Sequence, residues 1–501
     1  MNNKSVVINV FSNWSNFLVT VCIAFLISPI IVHSLGIEIY GVWTLIVSVT
    51  SYFTVLDFGV NTAIVRYISG KSARKDYSGA RSVYSTSLAI FFFIGVAILI
   101  FSLIFGYFFQ DIFRLHHINR FYIYTVFLLI SIDLASGLVF SVFLGSLVGL
   151  QEFRFINGTS IIFNILKSII IVLLMVRGYG LLTLALIQIL SSFGVSSCRY
   201  VFIRKKYSFL KFERSSIDRK TVKLIYDYSI YSFVIAISFK LLYYTDSIVI
   251  GSMIGLSAVT YFAIPSTLVD YLGKFLWAMI AVLVPIISAN EQTGEGVRNQ
   301  ELYVTGTKYT LMVGMPVIIV LYFFGEDFIR LWMGAKIGEH SRWVLRILLI
   351  GYTFSFSQLI AHGILKGISK HRVLAYILSV DALSNLLLSL FLAKKWGIEG
   401  VAFGTMLPML ISSVIIIIYS CRVLNMKFWH YIYNGYIGAA LGAVAAVLLI
   451  MYIGESAKSY MELIIKSMLV SVIYMSVAVP IGLKKQHREM IYNRIKSYIY
   501  A

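Results

Sequence analysis

The chain has 501 residues, 59% of them hydrophobic and only 13% charged, with a formal net charge of +20. A soluble domain is about one-quarter charged, so this composition excludes a soluble globular protein and leaves no stretch for a separate catalytic domain. The excess of Lys and Arg is not read as a nucleic-acid footprint, because these residues fall mostly on one set of alternate connections between apolar runs, as the positive-inside rule expects.

Runs of about 20 apolar residues mark candidate spans. In chain order they lie at 8–33, 41–65, 82–109, 121–147, 157–176, 180–202, 224–250, 258–288, 304–325, 343–365, 372–393, 399–420, 433–453 and 462–483. These predict an all-α polytopic membrane protein of about fourteen helices, the second and the eighth being the least regular. The first run is too long for a signal-peptide core and no small-x-small cleavage site follows it, so it reads as an uncleaved span. The Lys/Arg bias predicts both termini in the cytoplasm.

Hydrophilic connections divide the chain further. A basic stretch with Arg204, Lys205, Lys206, Lys211, Arg214, Arg219 and Lys220 follows the sixth run. It predicts an N-terminal six-helix lobe (1–202), a cytoplasmic linker (203–223), a C-terminal six-helix lobe (224–422) and two further helices (423–483). The end of the linker, near Thr221–Tyr228, is expected to lie along the membrane surface. In the tail, 484–501, Met490, Ile491, Ile495, Tyr498 and Ile499 recur at helical spacing among Lys485, Arg488, Arg494 and Lys496. This reads as a basic amphipathic cytoplasmic helix suited to anionic lipid. The opposite loops are short, the longest expected from Gly325 to Arg342. Cys22, Cys198 and Cys421 have neither CxxC nor metal-ligand spacing, so no metal and no cofactor is expected.

A weak internal repeat supports two lobes. Gly36-Ile-Glu-Ile-Tyr-Gly-Val-Trp43 parallels Gly255-Leu-Ser-Ala-Val-Thr-Tyr-Phe262. Gly149–Arg154 parallels Gly367–Arg372, Gly178-Tyr-Gly180 parallels Gly397-Ile-Glu-Gly400, and Ser197-Cys-Arg199 parallels Ser420-Cys-Arg422. The order and offset are common to all four, and six helices separate the copies, so the repeat is parallel.

The segment Leu35–Trp43, followed by Leu56-Asp-Phe-Gly59 and Val65-Arg66, resembles the N-terminal signature of Wzx-type O-antigen and polysaccharide-unit flippases. These are polysaccharide biosynthesis proteins of the multidrug/oligosaccharidyl-lipid/polysaccharide (MOP) exporter superfamily. Tyr244-Thr-Asp246-Ser-Ile-Val-Ile-Gly251 and Gly397-Ile-Glu-Gly-Val-Ala-Phe-Gly404 match that pattern as well. The resemblance implies two MATE-like lobes around a cavity, and alternating access. It implies a glycan on undecaprenyl diphosphate or a similar lipid as cargo, carried between leaflets of the bacterial inner membrane for O-antigen, lipopolysaccharide or other surface polysaccharide. A polysaccharide polymerase and a chain-length regulator are implied partners. A MATE-like drug/cation antiporter is the alternative; a membrane glycosyltransferase or glycan polymerase fits less well, because no long outer loop is expected.

A charge at mid-membrane is costly unless paired or facing water. Lys240, Lys167, Lys274 and Arg66 are therefore candidate cations for substrate phosphates, with Tyr243 and Tyr244 placed to stack on sugar rings. Asp133, Asp246, Asp381, Asp57 and Asp270 are candidates for coupling transport to H⁺ or Na⁺, since burial favours a protonated carboxyl. Structural readings stand beside these. Asp270 and Lys274 are spaced i,i+4 and can neutralise each other. Asp133 and Lys167, on adjacent helices, can pair. Arg66 can snorkel, and Asp57 can stabilise the loop after it.

Overall fold

Backbone polar groups in hydrocarbon must be satisfied within the segment, and the apolar runs predicted from the sequence fold as helices over most of their described residues. The computed structural model describes residues 3–280, 296–368 and 370–483, together with Leu283, Ile287, Asn290 and Glu291. The basic tail at 484–501 lies outside them. The helices are α1 (Asn3–Leu35), α2 (Ile37–Ser51), α3 (Val60–Ala73), α4 (Tyr77–Ile112), α5 (Arg120–Gly149), α6 (Phe153–Val176), α7 (Leu181–Lys206), α8 (Arg219–Met253) and α9 (Leu256–Ile280). They continue with α10 (Gly296–Met333), α11 (Ala335–Ser357), α12 (Leu359–Gly367), α13 (His371–Val423), α14 (Phe428–Ile453) and α15 (Tyr460–Gly482).

Among the described residues, 11 helical stretches are long and apolar enough to cross a membrane. One of them covers two predicted spans. At 53 residues α13 would run to about 80 Å if straight, against a hydrocarbon core of about 30 Å. It breaks instead at Trp396–Gly397, where Gly397 has φ 60°, into two limbs. The outer faces of the helices are apolar: α4 alone exposes Phe92, Phe93, Ile100, Phe101, Leu103 and Ile104, as a lipid-facing surface requires.

Three local expectations are corrected. The second span is not one helix: α2 gives way to a 3₁₀ turn at Tyr52–Asp57, then Phe58 and Gly59 take left-handed conformations before α3. The stretch Gly325–Arg342 is not a loop. Helix α10 runs on to Met333, and only Gly334, at φ 105°, separates it from α11. Thr221–Tyr228 is no separate surface helix but the first turns of α8, which Asp218 caps by accepting from the Lys220 and Thr221 amides.

By packing, residues 1–260 form one unit and 261–501 another, so α8 belongs with the first. Within the first unit a glycine sets the closest approach. A Cβ on Gly41 would lie 2.1 Å from the Leu256 carbonyl oxygen, and the Thr260 hydroxyl donates to the Ile37 carbonyl at 2.6 Å. The basic linker is strapped to the start of α4. Arg81 donates to the Phe209 carbonyl and pairs with Glu213, Ser85 bonds both Lys211 and Glu213, and Thr86 accepts from the Asp218 amide.

In the second unit, the two limbs of α13 meet closely because Gly400 and Gly404 lie against the backbone of Leu392 and Ser389. At the end of α10, Asp327 pairs with Arg330 and accepts from the Ala457 amide, while Arg330 donates to the Ala457 carbonyl. Lys466 reaches the Ser456 carbonyl and Glu462. These bonds fix the turn between α14 and α15 onto α10.

Candidate functional site: charged groups within the spans

One face of α6 is polar along most of its length. Asn157, Ser160, Asn164 and Lys167 follow one another at spacings of three, four and three, which puts them on a single helix face. Helix α1 meets this face with polar groups: Asn157 donates to Ser12 and Asn13, and Asn164 to Thr20. Helix α7 meets it with Arg199, whose Nη2 donates to the Ser160 hydroxyl at 2.9 Å.

Deeper in the unit, Lys167 and Asp133 are joined, but not directly. The Lys167 ammonium donates to Gln188 Oε1 at 3.2 Å, and Gln188 Nε2 donates to Asp133 Oδ2 at 3.3 Å. The amide suits both charges, since its oxygen faces the cation and its nitrogen the anion. Asp133 Oδ1 is buried and accepts no hydrogen bond among the described residues. The pair anticipated from adjacent helices is thus a relay, with Gln188 from a third helix as its centre.

Lys240, on α8, is half-buried. Its ammonium sits 4.4 Å from the centroid of the Tyr244 ring one turn on, a cation–π contact, and no carboxylate among the described residues pairs with it. Tyr243 is exposed and stacks on Phe239. Asp246 is buried, beside Thr245, whose hydroxyl bonds Tyr52. Asp57 accepts from the Asn61 amide at 3.1 Å, satisfying a donor in the first turn of α3 just after the left-handed break. Its geometry is therefore that of a loop-stabilising group. Arg66 is exposed, with its guanidinium 5.9 Å from the Tyr67 ring.

In the second unit, Lys274 and Asp270 form an ion pair at 2.6 Å. Asp381 is buried and accepts from Ser412, across the α13 hairpin, at 2.7 Å. One turn on, Asn385 donates to Thr405, also across the hairpin. Asp381 Oδ1 and Asn385 Oδ1 are both buried with no donor among the described residues. The described residues contain no cluster of three or more His, Cys, Asp or Glu placed to hold a metal.

From the sequence Arg199 stood out only in the Ser197-Cys-Arg199 repeat match, and Asn157 and Ser160 were not connected to Lys167. The three-four-three polar spacing in α6 was the available signal.

Among the described residues, long helices with lipid-facing apolar surfaces, and with lysines and carboxylates held inside the spans, define a multi-pass membrane protein. Residues 6–291 match the family model described as polysaccharide biosynthesis protein, and the chain belongs to that family. A second model, MatE, matches residues 232–391. A Shigella flexneri protein named "Putative O-antigen transporter" is 22% identical over 82% of this chain and 97% of its own length. Among solved structures, the lipid II flippase MurJ in an inward closed conformation has a TM-score of 0.71 at 15% identity, covering 97% of this chain and 100% of that one. An inward-facing MATE multidrug resistance transporter of the MOP superfamily has a TM-score of 0.68 at 16% identity, covering 82% of this chain and 94% of that one. At such identities the likeness establishes the MOP-type fold.

Proposed function

We propose that the protein is a flippase for a lipid-diphosphate-linked oligosaccharide, carrying the repeat unit of an O-antigen or another surface polysaccharide from the inner to the outer leaflet of a bacterial inner membrane by alternating access. The observation that carries this reading is Lys240. A lysine in a span, held over a tyrosine ring and without a carboxylate partner among the described residues, supplies uncompensated positive charge where a carrier of organic cations would place negative charge. A diphosphate supplies the matching anion, and Tyr244 beside it offers a ring face to a sugar. Lys167 is a second candidate cation, its charge balanced at one remove through Gln188. Lys274, already paired with Asp270, is a weaker one.

The Lys/Arg bias supports cytoplasmic termini. Ion coupling, by H⁺ or Na⁺, is proposed for Asp381 and Asp133, each with one buried oxygen that accepts no hydrogen bond among the described residues. The cargo and the leaflet lipids are the partners this reading requires; a polymerase and a chain-length regulator would act on the product at the outer face. The alternative, a MATE-like cation antiporter, draws on the same two buried carboxylates.

The test is export of surface glycan in a strain whose chromosomal copy is deleted. The deletion should accumulate lipid-linked glycan on the inner leaflet. Lys240→Ala should fail to restore export at normal protein level, whereas Lys240→Arg should restore part of it. Full export by Lys240→Ala would refute the role of the lysine, and no accumulation in the deletion would refute the flippase reading.

A further inference from the structure

We propose that Arg199, tethered by Ser160, forms a docking site for the diphosphate of the lipid-linked substrate, where α6 begins and α7 ends. The proposal rests on the flippase reading and adds to it a residue and a place.

Arg199 lies seven residues before the end of α7, about 10 Å inside it. A guanidinium at such depth ordinarily either pairs with a carboxylate or snorkels outward to the headgroups. Arg199 does neither. It has no carboxylate partner among the described residues, and it turns inward onto α6, where Nη2 donates to Ser160 Oγ. Its Nε is closed off from solvent with no acceptor among the described residues, while the side chain as a whole remains half-exposed. A neutral hydroxyl does not balance a guanidinium, and the group that does so best is a doubly bonded phosphate or carboxylate oxygen pair.

The surroundings leave the guanidinium's charge uncompensated. Asn157, one turn before Ser160, gives its amide N–H groups to Ser12 and Asn13, and the Ser160 hydroxyl donates to the Ile156 carbonyl. None of these groups brings negative charge. Lys167 follows Ser160 by seven residues on the same face, about 10 Å further along α6. Arg199, reaching over from α7, and Lys167, on α6, give a diphosphate a first position and a second along the polar face of α6. Arg199 is the outermost of the two, next to the basic linker, where substrate from the inner leaflet would arrive.

A bulk lipid headgroup offers similar phosphate chemistry, so the experiment must separate the two sources. Full-length protein in nanodiscs is titrated with farnesyl diphosphate, with farnesol and with phosphatidylglycerol. Wild type should bind farnesyl diphosphate well above farnesol. Arg199→Gln should weaken farnesyl diphosphate binding about 10-fold or more, the loss expected for a charge-assisted pair, and leave farnesol and phosphatidylglycerol unchanged. Arg199→Lys, which keeps the charge and loses the fork, should fall between.

Unchanged farnesyl diphosphate binding in Arg199→Gln overturns the proposal while leaving the flippase reading intact. An equal loss for phosphatidylglycerol also overturns it, assigning Arg199 to bulk lipid. Wild type that binds farnesyl diphosphate no better than farnesol overturns both. Should Arg199→Gln fail to fold, Ser160→Ala decides: it keeps the guanidinium and removes its tether, and wild-type binding in that variant overturns the site.

Discussion

Replacing Gln188 by leucine tests whether the relay is structural independently of transport. The substitution keeps the size of the side chain and removes both of its hydrogen bonds, leaving the Lys167 ammonium and the Asp133 carboxylate without their partner. A hydrogen bond to a charged group contributes about 1.5–3 kcal/mol. Side-chain hydrogen bonds measured within membranes average nearer 0.6 kcal/mol, because the unfolded chain also finds partners. For two bonds that each end on a charge, the loss should be about 2–4 kcal/mol. For a chain of 501 residues that corresponds to a fall in melting temperature of roughly 2–4 °C, read by intrinsic fluorescence of purified protein in detergent. A companion variant, D133L/K167M/Q188L, removes both charges with the amide and should recover most of the loss, since apolar groups of similar volume replace buried charge at little cost. Its stability should return while transport does not, if Lys167 also serves the substrate. A Q188L variant that melts with wild type would refute the relay, and so would a triple variant no more stable than Q188L.

Charge exchange at the second unit's pair, Asp270→Lys with Lys274→Asp, should retain surface glycan export if the 2.6 Å pair is only structural; a dead double variant at normal protein level would assign one member to the substrate. Single cysteines at Lys336 and Lys205 should be labelled by a membrane-impermeant maleimide from outside and only after permeabilisation, respectively, and the reverse result would invert the proposed orientation. Gly41→Ala should destabilise by about 1–3 kcal/mol, because its Cβ would meet the Leu256 backbone rather than a side chain that can move; a thermal melt like that of wild type would show that the approach relaxes freely.

The spans were legible because the bilayer imposes one requirement on all of them, a self-satisfied backbone inside an apolar run. Hydropathy, however, cannot see a helix break that stays apolar. The interruption at Tyr52–Gly59 sits in an otherwise continuous run, and Asp57 caps the turn of helix after it. The carboxylate that looked anomalous within a span is at a place where the backbone itself needs an acceptor. The opposite error fell at Gly325–Arg342. Its charges suggested a loop, yet Asp327 and Arg330 pair on the helix and hold the Ala457 backbone.

The glycines matched in the proposed repeat share a backbone trait. Gly36 and Gly255, and likewise Gly178 and Gly397, are matched in the sequence, and all four have positive φ, a conformation that few residues besides glycine adopt.

Charge partners follow no such rule. Each is chosen by whichever helix happens to face it, and linear spacing within one helix predicts only the partners on that helix. Asp270 and Lys274 share a helix, and the spacing foretold their pairing. Lys167 finds Gln188 on α7, and Arg199 finds Ser160 on α6, neither of which spacing could show. Lys240 also looks along its own helix, but to a ring rather than an acid. The span charges that neighbours do not neutralise are therefore informative about what must come from outside the chain. In the first unit those are the cations Lys240 and Arg199, whereas the second unit's Asp381 is an acid with one buried oxygen that accepts no hydrogen bond among the described residues. An anionic cargo in the first case and a small cation or proton in the second would complete both sets of valences, which is what the proposed transport of a diphosphate-linked glycan requires of them.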